Sequence, residues 1–319
     1  MSNEVVNLKL YGNDGESTKP VQTETPEIEY TEGSYRYNAL TDADVNSLNS
    51  AARPTLITLF GISECGKTTF VGSLFAILRR RPDLLKKTFL DSDTLTGFEK
   101  RVHLRLLSES GVSVQQRTRR KANSILNAVL GNERGENSHM FVFSDKSGEI
   151  YLDAVSKDNV VEEQTAVKYA DRLVLFVDIE ALLDDKKYML YKKNTGTLLT
   201  RFKSKNMLPL NAEIFVAFNK IDIVERAALE AAKTLKGEID EAKKKEFINS
   251  WKSRRKSVLN VIKEIINVPD EQVFDICSKG IQRDAEDKGL IELLSKILDK
   301  PKMKSLSSEY NWIQGLLKS

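Results

Sequence analysis

The stretch Gly61-Ile62-Ser63-Glu64-Cys65-Gly66-Lys67-Thr68 sets two glycines, a lysine and a hydroxyl at the spacing GxxxxGK[ST]. That spacing suits a phosphate-binding loop. Its glycines let the backbone curl into a nest of N–H donors, and the helix that follows adds the positive end of its dipole. Lys67 is placed to reach terminal phosphates, and the Thr68 hydroxyl to bind Mg²⁺. The pattern needs a strand before it and a helix after it. The apolar run Thr55 to Phe60 and the apolar-periodic Lys67 to Arg80 supply both, which disfavours the bland alternative of a glycine turn followed by a surface lysine.

Three further clusters sit at the ends of candidate strands. Met140 to Ser144 leads into Asp145-Lys146-Ser147-Gly148-Glu149, where Asp145 suits the Mg²⁺ shell and the Gly148 N–H suits a γ-phosphate contact. Asp-x-x-Gly alone is weak, because both residues are common in turns. Ile214 to Phe218 leads into Asn219-Lys220-Ile221-Asp222. The Asp222 carboxylate can accept from both the ring N–H and the exocyclic amine of guanine, a pairing adenine cannot reproduce; the wrong base leaves buried polar groups unpaired. Lys220 can lay its stem along the purine, and Asn219 can brace the phosphate loop. Val273 to Ile276 leads into Cys277-Ser278-Lys279, where the Ser278 N–H can meet the guanine carbonyl.

Short apolar runs alternating with long amphipathic stretches predict an α/β fold, a mostly parallel sheet with helices on both faces. Further strands are expected at Leu173 to Asp178 and, as strand or helix end, at Ile125 to Leu130. Helices are expected at Phe98 to Ser110, Ala181 to Tyr191, Arg226 to Lys233, Lys243 to Asn267 and Leu290 to Leu298. All four clusters then lie at the carboxyl ends of strands, where open α/β sheets bind ligands.

With these motifs in this order, the chain resembles the P-loop GTPases of the TRAFAC class over about residues 54–300. The stretch Phe143 to Tyr151 and Asp93-Thr94-Leu95-Thr96-Gly97-Phe98-Glu99 look, more loosely, like the bacterial double-GTPase group, although a single GTPase core is present. The resemblance implies a three-layer P-loop NTPase fold, GTP and GDP with Mg²⁺ as cofactors, GTP hydrolysis as the reaction, and protein partners that sense the nucleotide state. It further implies neighbouring components of a bacterial phage-defence system as those partners. The expected nucleotide-binding set is Gly61, Ser63, Glu64, Cys65, Gly66, Lys67, Thr68, Thr69, Asn219, Lys220, Asp222, Cys277, Ser278 and Lys279. Lys67, Thr118, Gly148 and Glu149 form the expected catalytic set, and Thr68, Asp145 and Thr118 the metal set.

Several positions depart from that pattern. Glu149 stands where Ras-like enzymes carry a water-orienting glutamine, so slow intrinsic hydrolysis is expected. A nucleotide-binding scaffold that never turns GTP over is the alternative. Glu64 in the phosphate loop must turn outward or find a partner. Thr118 is the first choice for the switch threonine, with Thr94 and Thr96 behind it, and Arg117 or Arg119 beside it is a candidate arginine finger or a solvated basic loop.

The 319 residues are 40% hydrophobic and 30% charged, as in soluble globular proteins. No apolar run approaches the roughly 20 residues of a membrane span. Two cysteines exclude a disulfide scaffold, and with no secretory signal at the N-terminus a cytoplasmic location is expected. Net charge is +3, but residues 1–50 carry nine acidic and three basic side chains. Residues 1–50 are therefore expected to be an acidic mobile tail, 51–300 the GTPase domain and 301–319 an amphipathic helix; within the tail, Leu40 is one of a few apolar residues able to dock. Nucleic-acid binding is not expected from the lysine-rich 252–256, because no aromatic interleaving accompanies it.

Overall fold

The computed structural model describes residues 39–41, 53–109, 124–233, 238–279 and 288–299, the side chains of 104–109 and 288 apart. Seven strands form one sheet: β1 (Thr55–Phe60), β2 (Thr88–Asp91), β3 (Ile125–Gly131), β4 (His139–Ser144), β5 (Arg172–Asp178), β6 (Glu213–Asn219) and β7 (Val273–Ile276). Their order is β2-β3-β4-β1-β5-β6-β7. β4, β1, β5, β6 and β7 run parallel, while β3 is antiparallel to β4 and β2 to β3.

Helices connect the strands. They are α1 (Lys67–Arg80), α2 (Pro82–Leu85), α3 (Leu95–Glu109), α4 (Gly148–Ala154), α5 (Asp158–Glu162), α6 (Thr165–Lys168), α7 (Ile179–Leu183), α8 (Asp185–Ser204), α9 (Asp222–Ala232), α10 (Glu241–Ile265) and α11 (Lys288–Ile297). Because side chains alternate across a strand, β6 sends Phe215 and Ala217 into one core and Val216 and Phe218 into the other. The first core is closed by α1, α2, α3 and α11, the second by α4 to α10. Central strands buried on both faces must be apolar throughout, which is why their sequences read as unbroken runs. The three-layer α/β architecture of the P-loop NTPases results.

Register then places the candidate residues. Thr58 pairs with Ser144, Phe60 with Leu175, and Asp178 with Asn219, which in turn pairs with Ile276. The strand ends that carry the motifs therefore share one edge of the sheet. β1 has β4 on one side and β5 on the other, so the chain order reverses there, the switch point at which such sheets open a crevice.

The structure resolves the open choice at 125–130 as β3, a strand antiparallel to β4. β2 is a strand without a sequence-based expectation, and the region near Ala181 to Tyr191 is two helices, broken at Asp184, whose carboxylate caps the second by accepting from the Lys186 and Lys187 amides. Upstream of β1, Leu40 exchanges backbone hydrogen bonds with Ile125 at 2.8 and 2.9 Å. Among the described residues no helix is long and apolar enough to cross a membrane. The amphipathic stretch 301–319 lies outside the described residues.

Candidate functional site

The phosphate loop leaves β1 at Gly61 and enters α1 through Gly66, whose φ of +89° lies in the left-handed region. A side chain there would be strained and would also stand 2.1 Å from Asn219 Nδ2, so glycine is required twice over. Lys67 is 5% exposed, and its ammonium donates to the Gly61 carbonyl at 2.7 Å. It lies 5.5 Å from the centroid of the Tyr151 ring, a cation over an aromatic face. Cys65 is buried beside it, and burial pushes the thiol up, so the sulfur stays neutral. Glu64 is exposed, turned outward as its charge demands. The Ser63 hydroxyl is buried and has no partner among the described residues.

Asp145 is fully buried at the end of β4. Thr68 Oγ1 donates to its Oδ1 at 3.3 Å, and Arg101 Nε to its Oδ2 at 2.8 Å. The two expected metal ligands are thus brought together, with a guanidinium that sequence reasoning missed. Arg101 shares a helical face with Phe98, three residues before it, which is the one sign that its side chain points inward. Gly148 opens α4 against the phosphate loop, with Ser147 capping the helix by accepting from the Glu149 N–H at 3.4 Å. Glu149 is half-buried, and Tyr151, fully buried, donates to the Leu59 carbonyl at 3.4 Å.

Thr118, Arg117 and Arg119 lie outside the described residues. Thr94 is not available for a metal. Its hydroxyl is fully buried and held by Asn127, accepting from the backbone N–H at 2.9 Å and donating to Oδ1 at 3.1 Å. Thr96 lies within α3. The basic cluster of α10 is also engaged internally: Arg254 binds Asp185 and the Leu182 carbonyl, and Arg255 binds Asp275 at 2.6 Å while lying over Phe218.

At the other end of the crevice, Asn219 is 1% exposed and joins two loops. Its Nδ2 donates to the Cys65 carbonyl at 2.7 Å, and its Oδ1 accepts from the Ser278 N–H at 2.9 Å. The Ser278 amide expected to meet a guanine carbonyl is therefore held by Asn219 instead. Ser73 Oγ donates to the Ser278 carbonyl, while the Ser278 hydroxyl is buried without a partner among the described residues. Lys220, at φ +73°, sends its ammonium to Asp178 at 3.0 Å and Glu180 at 2.7 Å. Burial works against that charge, but Asp178 and Glu180 outweigh it and raise the Lys220 pKa; the same contact holds Glu180 below its ordinary value. Asp222 opens α9 with its side chain exposed, as is that of Lys279, and Cys277 is half-buried.

The phosphate loop, Asp145 to Gly148, and Asn219 to Asp222 stand in this order along one sheet edge, and the profile of the Double-GTPase 2 family matches residues 55–267. This chain belongs to the Double-GTPase 2 family. The match takes in those three clusters and ends before Cys277. No curated protein matches. Among solved structures, the Double-GTPase 2 chain is similar to the Saccharomyces cerevisiae Ski7 GTPase-like domain bound to GDP and inorganic phosphate, at 14% identity and a TM-score of 0.39, over 80% of this chain and 51% of that one. It spans about half the length of that yeast chain. It is also similar to the Chaetomium thermophilum signal recognition particle receptor SRb-GTP/SRX complex, at 14% identity and a TM-score of 0.35, over 77% of this chain and 99% of the other.

Proposed function

We propose that this Double-GTPase 2 chain binds GTP and GDP with Mg²⁺, hydrolyses GTP to GDP, and acts as a nucleotide-dependent switch. The observation that carries this reading is Asn219, which ties the phosphate loop at Cys65 to the Ser278 loop at the base-reading end. The hydroxyls of Ser63 in the phosphate loop and Ser278 after β7 are buried without partners among the described residues, and such orphans fit a polar ligand because buried polar groups without partners are rare. The hard oxygens of Thr68 and Asp145 fit Mg²⁺, which when bound neutralises phosphate charge.

In this reading Lys67 leaves the Gly61 carbonyl for phosphate oxygens, the α1 N-terminus cradles them, and Asp222 selects guanine. Gly148 senses the γ-phosphate, Thr118 completes the first switch, and partner proteins read both segments. The double-GTPase resemblance suggests a bacterial defence complex as the setting. A second reading, a nucleotide-holding scaffold without turnover, is favoured by Glu149 and by the burial of Tyr151, which anchors α4.

Competition binding of GTP, GDP and ATP with Mg²⁺ tests the site. Guanine preference in the wild type, with binding lost in Lys67→Ala and preference lost in Asp222→Ala, is the expected result; equal binding of ATP and GTP overturns it. Single-turnover hydrolysis, with and without partner proteins, separates switch from scaffold.

A further inference from the structure

Arg101 lies on the carboxylate that the proposed reaction assigns to Mg²⁺. Its Nε donates to Asp145 Oδ2 at 2.8 Å, and its Nη1 to the Gly97 carbonyl at 3.0 Å. The side chains are 8% and 0% exposed. Neither partner can drift far. The Arg101 carbonyl stands 2.8 Å from where a Cβ on Gly72 would be, so α3 is pressed onto α1 at this residue. The Asp145 N–H donates to the Ser124 carbonyl at 2.9 Å, which holds the main chain that carries the carboxylate. Thr68 Oγ1 takes the remaining oxygen at 3.3 Å.

We infer that Arg101 is a positioning residue, the internal counter-charge of Asp145, and that it sets how strongly nucleotide binding depends on Mg²⁺. This rests on the guanine-nucleotide reading above. A buried carboxylate without a partner is costly, and Arg101 supplies one in the absence of metal. When a divalent cation arrives, two positive groups contend for one carboxylate inside a poorly screened pocket. Arg101 therefore weakens the metal and softens its absence. Both effects shrink the gain in affinity that Mg²⁺ brings, whether or not the guanidinium moves aside.

The test uses the full chain with GDP as the probe, its Kd measured in Mg²⁺ and in EDTA. The ratio of the two in Arg101→Met is expected to exceed the wild-type ratio by about tenfold or more, with the half-saturating Mg²⁺ concentration lowered by a similar factor. A purely structural role would change stability and leave the ratio alone. Arg101→Lys keeps the charge and is expected to stay within about threefold of the wild-type ratio. The neutral pair Arg101→Met with Asp145→Asn folds without an unpaired charge, and its ratio is expected at or below that of the wild type. The thermal midpoint of Arg101→Met falls without Mg²⁺ and recovers more than that of the wild type when Mg²⁺ and GDP are added.

An unchanged ratio in an Arg101→Met protein that still binds GDP overturns the inference and leaves the nucleotide reading standing. If that variant does not fold, a rise of about tenfold in Arg101→Lys, or a ratio above wild type in the double variant, overturns it equally. Wild-type protein that binds no guanine nucleotide in either condition overturns both.

Discussion

The Asn219 side chain donates to the Cys65 carbonyl at 2.7 Å across 154 residues of sequence, fastening the end of β6 to the phosphate loop. The same amide accepts from Ser278 N at 2.9 Å. Asn219→Ala removes both bonds and leaves a buried carbonyl and a buried N–H unsatisfied, at about 1–3 kcal/mol each. Urea unfolding is expected to show a loss of about 2–6 kcal/mol, and GDP affinity to fall as the loop loses its brace. Unchanged stability would mean the two loops hold their places without Asn219.

Among the glycines of the site, Gly148 permits the closest approach to another stretch of backbone. A Cβ there would stand 2.5 Å from Ser63 Cα, a backbone atom that cannot swing aside. Gly148→Ala is expected to push α4 off the phosphate loop and cost about 1–3 kcal/mol in denaturant unfolding, in line with other overpacked sites. If Gly148 also meets the γ-phosphate, the variant loses affinity for GTP more than for GDP, which isothermal titration measures directly.

The sheet was legible because burial on both faces forces continuous apolar runs, as in Leu173 to Val177 and Ile214 to Phe218. β2 was not: four residues at the sheet edge, partly or wholly exposed, impose no such pattern. The phosphate loop was legible because its backbone demands glycine at a fixed distance from lysine. Arg101 was hidden for the opposite reason. Its meaning depends on Asp145, 44 residues away, and nothing local marks the pair. The partners of Lys220 follow from the β5–β6 register, which sets Asp178 opposite Asn219, and that register exists only once the sheet has formed. α4 escaped notice because seven residues are too few for a helical period to stand out from a loop.

Lys220 and Glu180 give the site a pH signature. The Lys220 hydrogen bond holds the Glu180 carboxyl below its ordinary value of 4.5. A depressed folded-state pKa contributes stability that is present above the unfolded value and is lost as pH falls through the folded one. Glu180 is 66% exposed, so solvent screening limits the contribution to a few tenths of a kcal/mol, roughly. Wild type is expected to exceed Glu180→Gln in stability at pH 7 by that margin and to converge with it below pH 4.5, as followed by urea midpoints across that range. A gap that widens on acidification would contradict the assignment.

The two cysteines differ in a way that reports on the crevice. Cys65 is buried with its thiol pushed up, and only the thiolate attacks an alkylating reagent. Cys277 is half-buried in the loop next to Ser278. Iodoacetamide at neutral pH is therefore expected to label Cys277 in the native protein and to leave Cys65 unmodified until the chain unfolds, as peptide mass spectrometry would show. Under the proposed function, guanine nucleotide covers the Ser278 loop, so GDP is expected to slow labelling of Cys277, and ATP at the same concentration to leave the rate unchanged. Labelling of Cys65 ahead of Cys277 would mean that the phosphate loop opens in solution. Equal protection by ATP would mean that Asp222 does not choose the base.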